Sequence, residues 1–252
     1  MCEGHSTARL DVVSTPAPAA PRSPTPLSPT PRTTVTRGRS RAVEDRAAMH
    51  ALLQDALVAH LGVDVGDHPL VLPVAFAVDL DGPDHDGTLY VHGSVAARWL
   101  TRSEGATVCV TVTEVDGLVT ARSAFHHSMN YRSVVVVGPA RIVTDPAEKA
   151  RALDLTVDHM VPGRAATLRP STRKEVAATA VLAVPLHEAS MKVRAEGPVD
   201  DEADVEAGTW GGHVPVVRRL GEAVSDPLTD APVPADVLRR VAAGRASLGC
   251  GT

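Results

Sequence analysis

Residues 107–143 read TVCVTVTEVDGLVTARSAFHHSMNYRSVVVVGPARIV, and this run decides the fold class. Val108, Val110 and Val112 alternate with Thr and Cys, the period-2 pattern of a strand with one buried face. Asp116-Gly117 predicts a hairpin turn into Leu118–Ala121, so two antiparallel strands are expected. Val134–Val137 reads as a buried strand. Leading into it, Phe125–Ser133 concentrates imidazoles, hydroxyls, an amide, a phenol and a guanidinium. An unpaired buried polar group costs about 1–3 kcal/mol, so a ligand contact is expected here.

Working outward, Gly138-Pro139 predicts a bulge or bend. Asp145-Pro146-Ala147-Glu148 supplies an N-cap, a first-turn proline and an acid reaching back, so a helix follows. Thr172–Glu175 predicts a second, short capped helix, and Ala180–Leu186 a strand leading to His187–Arg194. Upstream, Val43, Ala47, Leu52, Leu53, Leu57 and Leu61 predict a helix over about 42–60. Val63–Val65 and a long strand over 70–78 form a pair around Gly66-Asp67, and Thr88–His92 is a third strand. Asp84, His85 and Asp86 sit in a Gly/Pro-punctuated loop, where a solvated turn is favoured over a metal site. His92-Gly93-Ser94 passes into a helix with Ser94 as its cap, a natural place for an anion with Arg98 one turn on. Strands that do not alternate regularly with helices predict a mainly β domain with flanking helices, built as a small, mostly antiparallel barrel.

Three units are expected. Residues 1–38 are proline-rich and basic at their end (Arg37, Arg39, Arg41), which predicts a disordered tail. Residues 39–195 hold the domain. Residues 196–252 form an acidic loop and a helical extension, with Trp210–Pro215 packing back on the domain and a helix near 235–243.

Composition excludes several classes. The 252 residues carry a net charge of −5, which gives no electrostatic reason for a nucleic-acid or membrane partner. The chain shows no membrane span and no secretory signal, and its three separated cysteines fit a reducing cytoplasm. Only six aromatic residues occur, so the core must be aliphatic. Cys109 reads as a small buried hydrophobe. His126 and His127, as strand neighbours, would point to opposite faces and not share a metal, and no HExxH or CxxCH occurs; no metal site is expected. GxSxG and GxGxxG are absent as well. Haem stays open, because one axial histidine suffices. What remains is an anion site from Ser94, Arg98 and Arg132 beside an apolar wall, which suits a phosphorylated, largely apolar cofactor.

The succession AVEDRAAMHALL (42–53), HLGVDVGDHPLVLPVAF (60–76), LYVHGSVAARWL (89–100), the run 107–143, DPAEKARAL (145–153) and EASMKVR (188–194) resembles the pyridoxamine 5'-phosphate oxidase-like split-barrel flavoproteins. The likeness is to their flavin-nucleotide-binding branch, related to the nitroimidazole reductases. It implies a six-stranded antiparallel split β-barrel, a homodimer with FMN at the subunit interface, and flavin-dependent reduction of a small organic substrate. By that resemblance Ser94 and Arg98 meet the FMN phosphate, as do Arg132 and Ser133. Pro73, Val74 and Ala75 line the isoalloxazine, Lys192 matches a lysine near the C-terminal strand, and His92 lies on the substrate side. His92 or His127 is then the expected proton donor. A haem-binding protein, a deazaflavin, or a flavin module without turnover are the alternatives.

Overall fold

The computed structural model describes residues 25–246; the part of the expected tail at residues 1–24 lies outside them. The elements, in chain order, are β1 (Ala42–Val43), α1 (Arg46–Asp55), β2 (Ala59–Asp64), β3 (Pro69–Val74), β4 (Phe76–Asp79), β5 (Thr88–Ser94), α2 (Arg98–Ser103), β6 (Thr107–Thr120) and β7 (Ser128–Pro139). They continue with β8 (Arg141–Ile142), α3 (Pro146–Met160), α4 (Arg173–Ala178), β9 (Thr179–Pro185), β10 (Ala189–Arg194), α5 (Glu202–Glu206), β11 (Gly212–Pro215) and α6 (Ala235–Ala246). The domain is mainly β with flanking helices. Its strands form two antiparallel sheets rather than the six-stranded barrel expected. One has seven strands in the order β1-β10-β7-β6-β2-β3, with β11 added on β6, and the other has four in the order β4-β5-β9-β8.

The chain passes between the sheets four times, and two of the crossings are corners where one strand runs almost directly into the next. The long strand expected over 70–78 breaks at Ala75 into β3 and β4, and Gly138-Pro139-Ala140 carries β7 into β8. The predicted hairpin at Asp116-Gly117 is instead a bulge. β6 runs unbroken for 14 residues, and its pairing with β7 steps from Val115↔Tyr131 to Gly117↔Asn130, leaving Asp116 as the extra residue. A turn sequence on its own cannot distinguish the two outcomes; here β11 adds to β6 beside the bulge, with Val216 N donating to Asp116 O at 3.0 Å.

Valine alternation builds the core. Leu61, Val110, Val112, Val134, Val136 and Met191 face inward from the large sheet, and Phe76, Leu89, Val91, Leu182 and Val184 from the small one. Met49, Leu52 and Leu53 of α1 complete this cluster. α1 is shorter than expected because Ala56 caps it and the chain re-enters the sheet at Ala59. α3 covers the other face of the small sheet over Tyr90, Val181 and Ala183, with Asp145 accepting from Glu148 N at 2.7 Å as its cap. The capping box of α4 is also present, Thr172 paired with Glu175.

Residues 25–38, placed in a tail by the sequence, lie along β10 and its preceding turn. Leu27 and Thr33 are buried, Ser28 N donates to Ala189 O at 2.7 Å, and Thr30 Oγ1 donates to Glu188 at 2.6 Å. Proline removes donors but leaves carbonyls: Arg46 of α1 donates to the carbonyls of Thr25 and Pro26.

The outer face of the large sheet is the one sheet face without a covering helix among the described residues. Cross-strand register places Pro73, His60, Thr111, Val135 and Ser190 in one row, Val71, Gly62, Cys109 and Val137 in a second, and Thr113, Ser133 and Lys192 in a third. A strand with one wet face alternates, whereas Val134–Val137 is apolar on both. Val135 and Val137 are half-buried and Val71 is 63% exposed.

Candidate functional site on the outer face of the large sheet

β7 and β10 set the site, because their alternation sends Ser133, Tyr131, Ser190 and Lys192 to the outer face. The segment 32–41 runs past them. Between the two lies a cleft of about 500 Å³ lined by Arg32, Thr34, Arg37, Tyr131, Ser133 and Lys192 among others. A second, of about 410 Å³, adds Ser40 and Arg41 and shares Arg37, Tyr131 and Lys192. Lys192 Nζ donates to the Arg37 carbonyl at 2.9 Å, which fixes the ammonium at the point the two clefts share. Arg32 is neutralised by Glu188, but the guanidiniums of Arg37 and Arg41 make no hydrogen bond among the described residues. Free cations beside serine and threonine hydroxyls are the donor set for a phosphate. Cys109, also on this face, is a half-buried free thiol whose pKa is raised by burial, so it stays protonated and unreactive near neutrality.

The expected phosphate residues are not together within one chain. Arg132 and Ser133, being neighbours in β7, point to opposite faces. Arg132 forms a bidentate pair with the bulge residue Asp116, at 2.9 Å and 3.0 Å, and lines a separate cavity of about 300 Å³ with Asp55, Glu114 and Arg218. Ser94 ends β5 instead of capping a helix: its Oγ accepts from Ala96 N at 3.2 Å, and α2 starts at Arg98 behind Ala97. Arg98 faces a third cleft of about 640 Å³ with Asp67, His68, Trp99 and Arg102. Gly93 permits that approach, since a Cβ there would stand 2.9 Å from Leu100 and 3.2 Å from Trp99.

Pro73 lies on the outer face opposite His60, and Val74 and Ala75 form the corner beyond it. His60 is exposed and none of its ring nitrogens makes a hydrogen bond among the described residues. His92 lies on β5, its Nδ1 buried without a partner. His50 Nε2 is likewise unpaired, on α1, and burial lowers that pKa and keeps the ring neutral. His126 and His127 are not strand neighbours: a 3-10 turn over Ala124–His126 precedes β7. His127 Nδ1 donates to Ser123 O at 2.9 Å, which holds the proton on Nδ1 and leaves Nε2 to solvent. His126 approaches Asp201 at 3.5 Å, and Phe125 is 89% exposed.

Two contributors were missed from sequence, Arg37 and Arg41. Their basic run was visible, but only the pairing of β1 with β10 brings it to Lys192. The loop around Asp84 and Asp86 is not a solvated turn either. Asp84 pairs with Arg141 at 2.7 Å and accepts from Thr88, and the half-buried Asp86 lies against Arg46 and His187.

Comparison with known proteins adds the following. The family model for pyridoxamine 5'-phosphate oxidase matches residues 45–193. Among solved structures the chain is 37% identical to the flavocytochrome Anf3 from Azotobacter vinelandii, with a TM-score of 0.78, over 85% of this chain and 99% of that one. It is 34% identical to the FAD- and haem-binding protein from Mycobacterium smegmatis, with a TM-score of 0.74, over 80% of this chain and 97% of that one. A search of curated proteins finds no match. With more than half its length matched by that model, the chain belongs to the pyridoxamine 5'-phosphate oxidase family.

Proposed function

We propose that the protein is a flavin-dependent oxidoreductase that also binds haem, with the flavin seated on the outer face of the large sheet. The observation that carries this is the basic, hydroxyl-rich cleft of Arg37, Arg41, Ser133 and Lys192 beside an uncovered sheet face. Its donors fit a nucleotide phosphate, and the half-buried Val135 and Val137 with Pro73 fit an apolar ring system. The bound flavin would supply hydride or electron transfer; the chain's own part is to hold, orient and exclude water. FAD is preferred to the FMN inferred from sequence, because one of the solved relatives is named as an FAD- and haem-binding protein.

Haem enters through the same two relatives, each named as a flavin and haem protein. It needs one axial imidazole with a free nitrogen. His60, exposed on the outer face, and His92, with its unpaired buried Nδ1, both qualify. His92 otherwise keeps the proton-donor role inferred from the resemblance, and His127 is the second donor, acting from its solvent-facing Nε2 when that nitrogen carries a proton.

Self-association belongs to the proposal. A second copy seated on the outer face would cover Val71 and Val135, and it is the arrangement by which Ser94, Arg98 and Arg132, apart in one chain, serve one site.

The test is the absorption spectrum of the full chain supplemented with FAD, FMN and haem in turn. The expected result is one flavin per chain and a Soret band, with the Soret band lost in either His60→Ala or His92→Ala while the flavin is kept. Anaerobic NADH or NADPH, or another reductant, should bleach the flavin. Uptake of neither cofactor would defeat the proposal, and a flavin that resists every reductant would reduce it to a binding module.

A further inference from the structure

Away from the outer-face cleft, the loop between β4 and β5 and the turn between β9 and β10 bring three metal-ligating side chains to one point. His187 Nδ1 lies 2.9 Å from Asp86 Oδ2, and His85 Nδ1 lies 3.4 Å from the same oxygen. The two imidazole centroids are 4.1 Å apart at an interplanar angle of 68°. One ligand atom from each residue falls within 4.8 Å of the other two.

The carboxylate does not depend on the imidazoles for its position. Asp86 is 9% exposed at the side chain; its Oδ1 accepts from Thr25 N, and Arg46 stands 3.6 Å from Oδ2. Arg46 is itself anchored by the carbonyls of Thr25, Leu186 and His187. The imidazoles are the accessible side, with His85 45% and His187 32% exposed. The carboxylate arm is therefore preplaced, and a tetrahedral ion on these three donors would keep its fourth position open to water.

We propose that His85, Asp86 and His187 bind a borderline first-row divalent cation of the zinc type, which ties the β4–β5 loop to the β9–β10 turn. Binding needs the Nδ1 lone pairs, so each neutral imidazole takes the tautomer with its proton on the solvent-facing Nε2 and the metal replaces the Nδ1 hydrogen bond to Asp86. Two nitrogen donors and one oxygen suit zinc, cobalt or nickel. Calcium and magnesium need several oxygen ligands, and the Arg46 guanidinium beside the single carboxylate disfavours hard ions further. The site stands independently of the flavin reading.

The experiment uses the full chain, stripped of metal with a chelator. Zn²⁺ is titrated by calorimetry, and Co²⁺ by the visible absorption that reports tetrahedral coordination. The expected result is one equivalent per chain, a higher unfolding temperature with Zn²⁺, and no competition from Ca²⁺. His85→Ala and His187→Ala each weaken Zn²⁺ binding roughly tenfold or more. His85 is an exposed loop residue, so H85A leaves the metal-free unfolding temperature unchanged and serves as the variant free of folding effects. Absence of binding, or Zn²⁺ affinity unaltered in H85A, overturns the proposal.

Discussion

Lys192 and Arg37 carry the anion chemistry at the residue scale. A charge-assisted hydrogen bond contributes about 1.5–3 kcal/mol, so Lys192→Ala and Arg37→Ala should each weaken flavin binding roughly tenfold or more, read by flavin fluorescence titration. Lys192→Arg should keep most of the affinity. The sequence exposed part of this site. Ser133 and Lys192 came from the family resemblance and do line the cleft, and the opposite facing of Arg132 and Ser133 was legible in strand alternation alone. The trio of Ser94, Arg98 and Arg132 was read as one site because each carries the right chemistry, but the Asp116-Gly117 turn signal does not show that Asp116 meets Arg132. Its placement as a bulge residue depends on the register with β7, and from there it takes the Arg132 guanidinium.

At the element scale, local signals with a mechanism were the ones that survived. Asp145 and Thr172 cap α3 and α4 as their sequences imply, because a cap needs only residues within a turn of itself. The bulge at Asp116 and the corner at Ala75 depend on partners distant in sequence, and neither was legible. Two predictions belong here. Arg169 and the Thr172 amide hold the Glu175 carboxyl down at about 2, below the ordinary carboxylate value. A depressed folded-state pKa stabilises fully above the unfolded value and is lost as pH falls toward 2. Glu175→Gln should therefore lower the unfolding temperature near neutrality, with the two proteins converging by about pH 2 in circular dichroism melts. The second concerns the seam of α3 with β4. Asp79 is buried and its pKa is lowered, chiefly by the hydrogen bonds from Arg151. Arg151→Ala leaves that carboxylate without its cation, a cost of about 1–3 kcal/mol by urea denaturation at neutral pH. The same sign argument makes this difference shrink as the carboxylate protonates in acid.

For the whole molecule, fold class was legible and closure was not. Alternation and turn residues gave an antiparallel, mainly β domain. The division into sheets of seven and four strands, and the closeness of residues 25–38 to β10, follow from packing across the chain. The small sheet is sandwiched between the core and α3, whereas the large sheet has Val135 and Val137 on a face that no described helix covers. Val135→Arg should keep the fold, since that side chain is only half-buried. On the proposed self-association it should also shift the chain from dimer to monomer in sedimentation and lose flavin with it. No described helix is long and apolar enough to cross a bilayer.

Hydrogen–deuterium exchange of the full chain with and without FAD tests the central claim, the location of the flavin, most directly. Amides of residues 32–41, of β7 from Tyr131 to Val137 and of β10 should gain protection on binding. Protection confined to the cleft of Asp67, His68, Trp99 and Arg102, with β7 and β10 unchanged, would contradict the account.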